Sequence, residues 1–87
     1  MGKYDPLRDY LERMSKIEWR AGFADVEKIL GFRLPVSARK YPAWWANEES
    51  QKSVHSHSRS WVDAGWQTAE LNLGNEQVIF RRIKKTR

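Results

Sequence analysis

Apolar residues recur at helical spacing near the start of the chain. Leu7, Tyr10, Leu11 and Met14 stand at i, i+3, i+4 and i+7, the spacing that lines one face of an α-helix. Asp5 is a good N-cap, and Pro6 suits the first helical position because its missing N–H has no partner to lose there. The pattern predicts a helix over 5–15, with Asp9–Arg13 and Glu12–Lys16 as i,i+4 pairs on its outer side. Residues 16–20 alternate polar and apolar, which predicts a short edge strand with Ile17 and Trp19 turned inward and Gly22 ending it. A second helical stripe follows at Phe23, Val26, Ile29 and Leu30, with Gly31 placed for a left-handed C-terminal cap.

The middle of the chain is less regular. Pro35 opens a short third helix through Val36, Ala38 and Tyr41, which Pro42 stops. Residues 43–47 fit neither period clearly. Adjacent Trp44 and Trp45 would point to opposite sides of a strand or in neighbouring directions on a helix, with at least one anchoring the core. Residues 48–53 read as a polar surface loop. A fourth helix is expected from about 54 to Gly65, with Val54, Ser58, Trp61 and Val62 inward and Ser56, Arg59, Ser60 and Asp63 on the opposite face. The last third reads as a hairpin. Ala69, Leu71 and Leu73 share one side of a strand, Gly74-Asn75 is a two-residue turn signal, and Gln77 to Ile83 returns.

This order predicts an α+β fold close to a winged helix–turn–helix, with helices packed on a C-terminal β-hairpin. The expected extent is one domain over 3–83, followed by a basic tail at 84–87. The stretch at 35–53 is an addition to the winged-helix pattern. A chain of 87 residues holds one small domain. With no cysteine it has no disulfide framework and no Cys-ligated metal. Its stability must come from a dense core, and five Trp supply large buried areas. The chain carries no membrane-length apolar run and no signal-peptide pattern, so a cytoplasmic location is expected.

The charge is uneven. The net value is +5, of which residues 1–50 carry +1 and residues 51–87 carry +4. Basic side chains gathered at one end are the footprint of a polyanion binder. On the fourth helix, Ser56, Arg59 and Ser60 suit phosphate and base-edge contacts, while Arg81, Arg82, Lys84 and Lys85 would hold phosphates from the hairpin and tail. Lys52, Arg39 and Lys40 rank second. His55 and His57 could share a metal, but a pair is a weak signal without further ligands, and no metal or other cofactor is expected. No Cys nucleophile, phosphate loop or G-x-S-x-G occurs, so no enzymatic activity is expected.

Several blocks resemble a small bacterial domain family of unknown function. They include Tyr4-Asp5-Pro6-Leu7, Leu34-Pro35, Trp44-Trp45-Ala46-Asn47, Ala64-Gly65-Trp66 and Phe80-Arg81-Arg82. The resemblance spans about 3–83 and implies a compact domain, but it carries no activity. Its polar positions Ser37, Arg39 and Asn47 fit either a buried hydrogen-bond set or a binding surface. Two functions therefore stand. The first is a DNA-binding, regulatory protein, with RNA as a related partner. The alternative is a protein-interaction or accessory module using an exposed Trp as anchor.

Overall fold

The computed structural model describes residues 2–47 and 57–83. Its elements are α1 (Asp5–Arg13), β1 (Glu18–Gly22), α2 (Phe23–Leu30), α3 (Val36–Lys40), a 3₁₀ turn (Pro42–Trp45), α4 (Arg59–Val62), β2 (Trp66–Asn72) and β3 (Gln77–Arg82). The strands form one antiparallel sheet in the order β1-β3-β2. Helix α1 packs against α2 and α4, while α2 lies on β1 and α4 on β2. The core between helices and sheet gathers Leu7 and Leu11, Phe23 and Val26, Trp45, Trp61, Trp66, Val78 and Phe80. Among the described residues the fold is thus a small α+β arrangement with four helices and a three-stranded antiparallel sheet.

The local signals act largely as the sequence suggests. Gly31 takes φ 85° and gives its N–H to the Glu27 carbonyl, closing α2 in the left-handed region that a side chain would strain. At the other end of α2, the Asp25 carboxylate accepts from the Gly22 N–H at 2.9 Å. Helix α1 ends at Arg13, earlier than the stripe suggests, and Tyr4 occupies its N-cap position. Asp5 lies inside the helix and accepts from the Gly2 N–H at 3.0 Å.

Three departures have physical causes. Strand pairing starts at Glu18 opposite Arg81, so Trp19 turns inward while Ile17 remains 72% exposed. In β2, Ala69 is an extra residue between the Thr68–Phe80 and Glu70–Ile79 pairs. This β-bulge reverses the alternation. It lets Trp66 on one side of the bulge and Leu71 and Leu73 on the other all reach the core. Strict alternation back from Leu73 would have turned Trp66 outward. The link from β2 to β3 is also longer than Gly74-Asn75. Glu76 adopts φ 54°, and its carbonyl accepts from the Phe23 N–H at 2.8 Å, tying the hairpin to the start of α2.

Asn47 makes the tightest polar junction. Its Oδ1 accepts from the Trp61 indole at 2.9 Å and from the Thr68 N–H at 2.8 Å, and its Nδ2 donates to the Thr68 carbonyl at 3.1 Å. The side-chain amide therefore pairs with the outer edge of β2 as a neighbouring strand would, and also satisfies a buried Trp. Asn47→Ala leaves that indole N–H without its acceptor. It is expected to lower unfolding free energy by about 2–3 kcal/mol, measured by urea denaturation. A loss below about 0.5 kcal/mol would show that the junction is dispensable.

Candidate functional site

Among the described residues, those expected to contact a polyanion do not share one face. Arg81 lies on the outer sheet face, where its Nε and Nη2 donate to Glu18 at 3.3 and 3.0 Å. Arg82, the next residue in the strand, points to the opposite face. It stacks 4.9 Å from the Trp66 ring and donates to the carbonyls of Met14 and Lys16. It thereby holds the exit of α1. Arg59 pairs with Asp63 at 3.4 Å across one turn of α4. Ser60 was expected on the outer face, but it is buried and its hydroxyl donates to the His57 carbonyl at 2.7 Å. Helix α4 has only four residues, so its face is much smaller than the expected helix from about 54 to Gly65 would offer. Ser56, Lys84 and Lys85 lie outside the described residues, as do Lys52 and His55.

Arg39 is likewise committed to the fold. Its Nη1 donates to Glu27 at 2.9 Å and its Nε to Glu76 at 3.1 Å, joining α3 to α2 and to the hairpin turn. Glu27 also accepts from the Leu34 N–H at 2.8 Å. The Arg39 hydrogen bond, helped by that of Leu34 and opposed by partial burial, holds the Glu27 carboxyl below its ordinary value. Lys40 is exposed, with no ion pair among the described residues. Among those residues, no group of three or more His, Cys, Asp or Glu could hold a metal ion. No described helix is long and apolar enough to cross a membrane.

No Trp is exposed. Trp45, Trp61 and Trp66 are buried, and Trp19 and Trp44 are half-buried. Trp44 belongs to an aromatic cluster at one end of the molecule. His57 stacks on it with centroids 3.7 Å apart and planes 7° from parallel, and His57 Nε2 hydrogen-bonds to the Trp44 carbonyl. Tyr4 meets Trp44 and Phe32 edge-on at 6.1 and 5.6 Å. The Lys3 ammonium sits 5.0 Å from the Phe32 centroid and 5.8 Å from that of Tyr4. Burial pushes the Tyr4 phenol up, so it stays protonated and able to donate.

Four connections supply these rings: the lead into α1, the exit of α2, the 3₁₀ turn and the lead into α4. Lys3, Phe32 and Arg33 were not singled out from the sequence, and Tyr4 stood out only as part of the Tyr4-Asp5-Pro6-Leu7 block. The usable signal was the pair of cation–aromatic neighbours, Lys3-Tyr4 and Phe32-Arg33, each just outside a helix.

A family model described as Domain of unknown function (DUF7662) matches residues 4–83. The chain belongs to this family. The match takes in α1 through β3, and with them both the Arg39 junction and the aromatic end. Comparison with curated proteins and with solved structures finds no match.

The Glu27 shift has a definite sign. A carboxyl held low in the folded state adds stability above its unfolded value, and this is lost as pH falls through the folded one. Glu27→Gln is therefore expected to be less stable than the parent near neutrality. Between about pH 5 and about pH 3 the two proteins should converge. Thermal unfolding across that range checks this, and a gap that is constant with pH would remove the ionised Glu27 from the account.

Proposed function

We propose that this domain binds nucleic acid, chiefly through its phosphates, in a winged-helix-like arrangement. The observation that carries the reading is how the charges are distributed among partners. Asp5, Asp9, Glu18, Glu27, Asp63 and Glu76 each hold an arginine of the same chain. Among the described residues Lys3, Arg13, Lys16, Arg20, Lys28, Arg33 and Lys40 form no ion pair, and on the acidic side only Glu12, Asp25 and Glu70 form none. The fold thus neutralises its acids internally and leaves cations facing water, as favours attraction of a polyanion.

The element order supports the winged-helix comparison: a helix, a strand, a helical region, then two strands, with β3 between β1 and β2. The short α4 argues for phosphate holding over deep reading of a groove. Arg59 and Arg81 remain contributors in this proposal. Their ion pairs are exposed, and such pairs are worth at most about 1 kcal/mol, so a phosphate can replace the carboxylate. Arg13 and Lys16 are better placed still. They lie beside the strand end where Arg82 N–H meets the Ile17 carbonyl at 2.8 Å, and the sequence there continues into Lys84 and Lys85.

The test is fluorescence anisotropy with duplex DNA across a salt series. Affinity is expected to fall linearly on logarithmic axes, with a slope of about −0.9 per phosphate contacted. The double substitution Arg13→Ala and Lys16→Ala should make that slope shallower by about two and weaken binding about tenfold at low salt. Absence of binding to DNA or RNA at low ionic strength would overturn the proposal.

A further inference from the structure

We propose that the aromatic end formed by Tyr4, Phe32, Trp44 and His57, with Lys3 over two of its rings, takes an unpaired base of a single-stranded nucleic acid. This rests on the nucleic-acid reading above and adds to it a preference for strand state. The four ring residues are all half-buried: they are anchored on the core side and retain accessible surface. The ring pairs Tyr4–Phe32 and Tyr4–Trp44 stand at 75° and 64°. The rings pack on one another at different angles, so the surface they leave to water presents edges as well as faces. The parallel contact of His57 on Trp44 shows a flat nitrogen heterocycle accommodated in this cluster.

Charge decides among flat or apolar occupants. Lys3 forms no ion pair among the described residues, so an apolar peptide would leave this cation unanswered. A nucleotide matches both features, offering a π face to the rings and a phosphate to the ammonium. The exposed Lys3 ammonium rests over Phe32 and Tyr4 by a ring contact, which at an exposed site is a weak hold. It is free to move to a phosphate as the base arrives. A duplex keeps its base faces stacked inside, so only a single strand or an extruded nucleotide presents one. The shared chemistry is an unpaired base with its phosphate, from DNA or from RNA.

The experiment measures binding of labelled oligothymidylate, oligouridylate and a length-matched duplex DNA at low salt, to the parent and to three variants. Phe32→Leu is expected to weaken single-strand binding about tenfold and to leave duplex binding unchanged. Phe32→Tyr should retain single-strand affinity, and Lys3→Ala should reduce it with a shallower salt dependence. Thymidylate against uridylate tells which backbone is preferred. If folded Phe32→Leu and Lys3→Ala both bind single strands as the parent does, the base site is wrong while the nucleic-acid reading stands. If the parent binds neither single strands nor duplex, the wider reading fails with it. Should Phe32→Leu unfold, Phe32→Tyr and Lys3→Ala decide.

Discussion

The buried tryptophans impose the constraint on which the rest of the fold depends. Burying an indole removes a large apolar area from water, but its N–H must find an acceptor or the gain is eroded. Each of the three buried Trp finds one in another element. The Trp45 indole donates to the Ala38 carbonyl at 2.8 Å, that of Trp61 to Asn47 at 2.9 Å, and that of Trp66 to the Leu11 carbonyl at 3.1 Å. These bonds relate the 3₁₀ turn to α3, α4 to the segment after that turn, and β2 to the end of α1. The aromatic mass supplies the driving force, while the three N–H groups limit how it can be arranged. Phe23 and Phe80 then complete the packing, with Phe23 stacked on Trp45 at 4.9 Å and Phe80 against Trp61 at 5.5 Å.

Arginine performs the complementary task at the edges. A guanidinium presents several donors in a fixed plane, so one residue can serve two elements at once. Arg39 uses two carboxylates from α2 and the hairpin turn, and Arg82 uses two carbonyls beyond α1 with Trp66 beneath its plane. Arg82 came into view in the sequence as charge alone, and Arg39 as charge and as a polar position of the resembled family. In the fold they differ sharply from Arg13 or Lys40, which have no ion pair among the described residues. A basic count therefore overstates the cations available for a ligand until the internal partners are known.

Legibility followed the range of the interaction responsible. The stripes of α1 and α2 and the cap at Gly31 are set by neighbours within a few residues, and they could be read directly. The hairpin strands were visible for the same reason. The bulge at Ala69 was not, because it reconciles two core demands, Trp66 at one end of β2 and Leu71 with Leu73 at the other, through the partner strand. The polar positions Ser37, Arg39 and Asn47 left open a buried set or a binding surface. Arg39 and Asn47 form hydrogen-bond sets within the fold, with partners 12 to 37 residues away in the chain, but these sets lie at its margin: Asn47 is exposed and Arg39 half-buried. The short α4 could not be foreseen from spacing, since Ser60 is drawn inward by the His57 carbonyl against the helical face expected of it.

The candidate surface was hard to read for a related reason, which also explains where it lies. A ring at the end of a helix can cover the margin of the core without entering it, and so keeps part of its surface in water. Tyr4 and Phe32 are brought together by the packing of α1 on α2, and Lys3 lies over both rings. The side chains that close the core at this end are thus the ones left for a partner. In a domain this small a large share of the aromatic side chains goes into the core or against it. Recognition then falls to residues that do both, at the connections where elements meet, more than to the outer face of any one helix.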